Sequence, residues 1–413
     1  MEIYLFNVVL FLALIFVINI INIINIENFI LLYVINWVFI SLNVSLIFGY
    51  YISIISLFVP ILFCLVFISP FYIVRFFLND NIRSVSYSTV YNNKILSKYI
   101  TVINIIGIVG IMSQINQFGF GLSISEIAIM TSEARYANEN VNKIQILANG
   151  FIFALFFIYG FMGVEIKNHK KGLFLSILII LMISIVTSSK AALIMCIAFY
   201  ITGLILINVF SKSIINLKHK IKLIIYFLLS LIIILLVSII IQIFRYGTNL
   251  DISTIIYNSD KIFIYAFGQF SAFGVWFDNN INYIDNITYG NGLFTGIYSL
   301  IFGHQRVAGY YDTFTYIAVD KYTNVFTLSR FIIQDFTMLG AFLFLFFCGF
   351  ISSIIKFFFS RYVNFLIIYF SVLLVEVIFG FSTSILSYNV VLFSFLIIYV
   401  FFINSIKVSK DLN

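Results

Sequence analysis

YTNVFTLSRFIIQDFTMLGAFLFLF, Tyr322 to Phe346, begins as polar chain, carries Arg330 and Asp335, and then turns into an apolar run. That run is long enough, as a helix, to cross a bilayer core. Comparable runs recur along the 413 residues, of which 62% are hydrophobic and 9% charged. A soluble domain stays nearer half apolar and about a quarter charged. The pattern predicts an all-α polytopic integral membrane protein, one membrane domain over residues 1–413.

Spans are expected at about 3–25, 28–49, 52–76, 98–114, 149–165, 172–188, 190–209, 223–244, 331–354, 362–380 and 388–405, eleven in all, with ten to twelve compatible with the pattern. The first lacks a basic flank and a small-residue cleavage site, so it reads as a retained span rather than a signal peptide. Cys64, Cys196 and Cys348 all fall inside apolar runs and read as packing residues.

Charge then orients the spans. Fifteen of the 23 basic residues fall in one set of loops and span edges, among them Arg75, Lys94, Lys170, Lys218, Lys356 and Lys407. Short loops rich in Lys and Arg face the cytoplasm. The net charge of +7 is therefore a topology signal, with membrane lipids as partner, and not a footprint for nucleic acid. The opposite face holds two long segments, about 115–148 and 245–330, which carry nine acidic residues. Within the longer one, IFIYAFGQFSAFGVWF (262–277) and YGNGLFTGIYSLIFG (289–303) are apolar enough for interfacial or re-entrant helices. Transporters usually keep short loops and put their chemistry at the midplane; here the polar and aromatic material gathers outside.

Several chemistries leave no trace. The chain has no Gly-rich phosphate loop, no HExxH, no CxxC and no His-rich spacing, so neither a metal nor a cofactor is expected. What the outer face does hold is cations: Arg135, Arg245, Arg306 and Arg330, joined by Lys190 at the outer start of a span. A guanidinium stays ionised and grips phosphate oxygens in a bidentate fork, as a lipid diphosphate at a membrane surface requires. Each cation also has a plainer reading, as a loop ion pair or an interfacial anchor. Helix from about Asn324 would set Thr327, Arg330 and Gln334 on one face, with Asp335 about 140° from Arg330. Both charges would then find partners outside their own helix. Glu376 is the acid set well inside a span, and an intramembrane acid is a functional candidate by default.

TNVFTLSRFIIQDFTMLG (323–340) resembles the late motif of the Wzy-type O-antigen and oligosaccharide repeat-unit polymerases. Its usual form is Asn-x-Tyr-Thr, then Arg, then Asp-Phe-Gly and a further Gly. Asn324, Thr327, Arg330, Asp335, Phe336 and Gly340 match; Phe326 stands for the usual Tyr and Thr337 for the Gly after Asp-Phe. SSKAAL (188–193) is similar to a Gly-Ser-Arg-Gly-like segment of the family, with Lys190 at the arginine. The resemblance runs in order over roughly residues 100–385. It implies a multi-pass enzyme of the bacterial inner membrane with a glycosyltransferase-C-like helical bundle and a long periplasmic loop. Its substrates would be undecaprenyl-diphosphate-linked oligosaccharides, joined on the periplasmic side, with a chain-length regulator and a flippase as further partners. In that reading Arg135, Lys190, Arg245, Arg306, Asn324 and Thr327 bind diphosphate or glycan, Arg330 stabilises the leaving group, and Asp335, Glu376 and His304 are the candidate bases, in that order. An O-antigen ligase shares this architecture and donor, and a lipid-linked oligosaccharide flippase is the alternative without chemistry.

Overall fold

The structure, a computed structural model, describes residues 25–78, 87–136, 142–163, 169–211, 236–245, 251–281, 287–303, 314–359 and 362–410. The helices are α1 (Ile26–Phe48), α2 (Ile54–Phe77), α3 (Asn93–Phe118), α4 (Ile124–Tyr136), α5 (Lys143–Met162), α6 (Lys170–Val186), α7 (Lys190–Ser211), α8 (Leu236–Arg245), α9 (Ile252–Asn280), α10 (Thr295–Phe302), α11 (Leu328–Phe358), α12 (Val363–Phe379) and α13 (Asn389–Ser405). Among the described residues six of these, α1, α2, α3, α5, α7 and α11, are long and apolar enough to cross a membrane. The chain is a membrane-embedded helical protein. The helices α1 to α3, α5 to α7 and α11 to α13 fall within a few residues of the spans read from the sequence. Expected span 3–25 lies outside the described residues, and span 223–244 is described only from Leu236.

Lipid offers no hydrophobic drive between apolar helices, so close backbone approach has to supply the packing. Gly349 of α11 lies against the backbone of α2, where a β-carbon would collide with the Phe67 carbonyl oxygen. Gly160 of α5 meets the Tyr200 carbonyl of α7 in the same way. Around these seams the largest core cluster joins α1 to α3, α5 to α7, α12 and α13, with Phe157, Tyr159, Phe199, Phe370 and Phe402 fully buried. Some buried polar groups are paired inside it: Tyr33 donates to the Ile378 carbonyl oxygen at 2.7 Å, and Ser176 to Asn104 Oδ1 at 2.8 Å, whereas the Ser184 and Thr202 hydroxyls have no hydrogen-bond partner among the described residues. At one end of the bundle Lys356, near the end of α11, pairs with the buried Glu27 in the first turn of α1.

The opposite end carries the long segments. α4 opens with a capping box, in which Glu126 accepts from the Ser123 backbone N–H at 2.7 Å and from its hydroxyl. Those two bonds hold the Glu126 carboxyl below the usual carboxylate range. The longer segment is built on α9, a single helix of 29 residues that absorbs the first of its two apolar stretches, while α10 takes part of the second. Two strands, β2 (Thr315–Ala318) and β3 (Lys321–Thr323), follow as a hairpin. It is tied to the α1–α2 connection by Tyr51 N–H donating to the Ile317 carbonyl oxygen at 2.6 Å, and to α9 by Lys321 on Asp260 at 2.9 Å. A second ladder pairs β1 (Tyr87–Tyr91) with β4 (Ile406–Lys410), antiparallel, so the chain's last described residues return to the loop before α3. Both ladders are small additions to a helical fold, and the sequence reading contained neither.

Candidate functional site

α11 begins later than expected. Residues 324–327 are not helical, Thr327 is the N-cap with extended backbone (φ −69°, ψ 157°), and the helix starts at Leu328. Leu328 N–H donates to the Gly380 carbonyl oxygen at 2.7 Å, which ties the start of α11 to the end of α12. Arg330 therefore stands in the first turn, where it is 7% exposed. Its guanidinium carbon lies 3.8 Å from the Phe326 ring centroid and 5.0 Å from that of Trp276 on α9. Stacking of this kind suits a planar cation and is worth about 2 kcal/mol or more away from water.

Five residues on, Asp335 is fully buried (0% exposed). One carboxylate oxygen accepts from the Thr288 hydroxyl and from Gly292 N–H at 3.0 Å, the other from Leu293 N–H at 2.7 Å. The backbone joins in: Thr288 N–H donates to the Gln334 carbonyl oxygen at 3.2 Å and Tyr289 N–H to that of Asp335 at 3.1 Å. A β-carbon at Gly292 would sit 2.9 Å from the carboxylate, so this approach requires glycine. Asp335 thus clasps the 288–293 loop to α11, and the charge that composition left unexplained is satisfied by that loop.

Just beyond, the helix breaks. Thr337 has φ 63° and ψ 177°, a conformation essentially reserved for glycine. The position is the one where the resembled motif carries Gly, and the local backbone keeps the glycine geometry although the residue is Thr. No proline is needed for this break; Pro60 and Pro70 both lie inside α2.

On the adjoining face of the same turn, Thr327, Ser329 and Ile332 line a cavity of about 420 Å³ between α1, α2, α11 and α12. Its walls are apolar, with Phe63, Phe67, Phe344, Val372 and Leu373 among them. Glu376 lines it too; one of its oxygens accepts from Ile385 N–H at 2.8 Å, and the other has no hydrogen-bond partner among the described residues.

A second cationic centre lies further along α9. Lys190, at the start of α7, stands 5.6 Å over the Tyr265 ring, and the Arg245 guanidinium is near enough to repel it. Arg245 Nε donates to Ser132 of α4 at 3.0 Å. Tyr265 and Trp276 are eleven residues apart, so they share one face of α9 and are separated by roughly 16 Å. Between them on that face is Gln269, fully buried, whose side-chain Oε1 has no hydrogen-bond partner among the described residues.

Of the sequence candidates, Thr327 and Glu376 line the same cavity, Arg330 and Asp335 stand on the first turns of α11 with Phe326 and Trp276 or the 288–293 loop as their contacts, and Asn324 is half-buried in the connection before Thr327. Lys190 and Arg245 form the separate centre. Arg135 falls in the last turn of α4, while His304 and Arg306 lie outside the described residues. Sequence reasoning missed Trp276, Tyr265 and the 288–293 loop, and named Phe326 as a motif position without giving it a role. Trp276, one of two tryptophans and placed in the long segment 245–330, was the available signal. No protein-family model, curated protein or solved structure matches this chain.

Proposed function

We propose that this protein is a polymerase of undecaprenyl-diphosphate-linked oligosaccharide repeat units, acting on the periplasmic face of a bacterial inner membrane. The observation that carries this reading is a buried, ring-stacked guanidinium on the same turn whose Thr327 and Ser329 line an apolar cavity. That pairing suits a ligand with an anionic head and a hydrocarbon tail. The two cationic centres on one face of α9 suit a reaction whose donor and acceptor both carry a lipid diphosphate.

The chemistry asked of these residues is modest. A sugar hydroxyl of the incoming repeat attacks the anomeric carbon of the growing chain, and the bond from that carbon to the diphosphate oxygen breaks. The electron pair leaves with the diphosphate, whose growing charge Arg330 stabilises from a position fixed in advance. The hydroxyl proton goes to a carboxylate. Both Asp335 oxygens are occupied by the 288–293 loop, so Asp335 acts as a positioning residue and Glu376, with an open oxygen, is the better candidate base. The lipid diphosphate is already activated, so the step draws on no nucleotide.

Deletion of the gene tests the reading in the cell. Surface glycan should collapse to core bearing a single repeat unit. Bare core would point to a ligase, and undiminished long chains would overturn the proposal.

A further inference from the structure

The outer segment presents apolar side chains where a water-facing domain would hide them. In the β2–β3 hairpin Ile317 and Thr323 point inward and are buried, while Tyr316 and Tyr322, cross-strand partners, point outward with ring centroids 5.9 Å apart. Tyr316 is 70% exposed, and Val319 at the hairpin tip is 88% exposed. Lys261 of α9 sets its ammonium 5.4 Å over the Tyr322 ring and 5.2 Å over the exposed Tyr257. A second such surface is α10, whose Leu300, Ile301 and Phe302 are all exposed, Ile301 at 68%.

Both surfaces sit where spans end. The hairpin is bonded to Tyr51, just past the end of α1, and α10 is bonded to the start of α13 through Asn389 Nδ2 donating to Ser299 Oγ at 3.1 Å. The hairpin continues the exposed apolar flank formed by Leu46, Ile54 and Ile55 at the α1–α2 connection. Tyrosine rings and lysine stems bordering hydrocarbon are the chemistry of the headgroup zone. The hairpin turn itself is Val319 followed by Asp320, both exposed, so an apolar side chain stands there beside a carboxylate that the headgroup zone can solvate.

We infer that the hairpin and α10 are two moorings in the phospholipid headgroup layer, and that the Arg330 turn is slung between them. Four residues, 324–327, join β3 to α11, a reach of at most about 14 Å. On the other side, Leu293 is bonded to Asp335 and α10 begins two residues later. The moorings therefore fix the depth of Arg330 relative to the lipid surface. This inference concerns the lipid surface alone and stands whether or not the proposed reaction does.

The test uses the full chain in nanodiscs of phosphatidylethanolamine and phosphatidylglycerol. Nitroxide labels are attached at Val319→Cys and, separately, Leu300→Cys; the unsubstituted protein, with buried Cys64 and Cys196 and half-buried Cys348, gives the background. Both substituted positions are exposed, so the fold tolerates them. Collision with oxygen, which dissolves in lipid, should exceed collision with a water-soluble nickel chelate several-fold at both labels. Tyr316→Ala combined with Tyr322→Ala should reverse that ratio at position 319 and leave position 300 unchanged. Greater access to nickel than to oxygen at either position in the otherwise unsubstituted protein would overturn the two-point mooring.

Discussion

Asp335→Asn isolates the clasp that holds the 288–293 loop to α11. The native carboxylate accepts three hydrogen bonds, two of them from the backbone N–H groups of Gly292 and Leu293, at a fully buried site. Asparagine keeps the shape but offers one acceptor oxygen and turns an NH₂ group toward the remaining donor. A hydrogen bond to a charged group contributes about 1.5–3 kcal/mol, and a buried donor left unpaired costs about 1–3 kcal/mol. Loss of one of each makes the loop about 3–5 kcal/mol easier to open. Hydrogen exchange followed by mass spectrometry on peptides spanning 287–296 reads this directly. At about 1.4 kcal/mol per tenfold, protection should fall by more than about a hundredfold. Helices remote from the clasp, such as α5, should keep their protection. Unchanged exchange across 287–296 would refute the clasp, and a uniform loss throughout the protein would show that Asp335 supports the whole bundle instead.

Other substitutions probe neighbouring parts of the argument. Thr337→Gly should raise thermal stability in detergent by roughly 1–2 kcal/mol, since relief of about 1–3 kcal/mol of backbone strain exceeds the entropy cost of glycine, about 0.5–1 kcal/mol; a fall in melting temperature would contradict the strain. Gly349→Val should separate α11 from α2 at the Phe67 carbonyl and lower stability by about 3 kcal/mol or more, read as loss of monodisperse protein on gel filtration after heating. Arg330→Lys should lose most polymerising activity while the protein folds normally, because the fork and the stacking on Phe326 and Trp276 go with the guanidinium. Full activity in the lysine protein would mean that charge alone matters there.

Much of the helical fold was legible because hydrocarbon solvent admits few solutions: an apolar run of sufficient length has to satisfy its backbone internally. The long segment was harder. TYIAVDKYT alternates over too few residues to stand out as a hairpin, and the strands exist because α9 and the α1–α2 connection hold Ile317 and Lys321. Arg330 and Asp335 announced themselves as charges at the head of an apolar run. Their partners did not: Thr288, Gly292 and Leu293 lie more than forty residues earlier, and Trp276 reaches Arg330 only through the path of α9. The break at Thr337 was hidden by the identity of the residue, since a threonine does not advertise positive φ.

Purified protein in nanodiscs, given only lipid-diphosphate-linked repeats, measures the central claim most directly. A ladder of lengthening glycans should form without any nucleotide sugar, and Arg330→Ala should abolish it while the protein still elutes as a folded species. A ladder of equal length from the alanine protein, or none from the unsubstituted protein with competent substrate, would contradict the account.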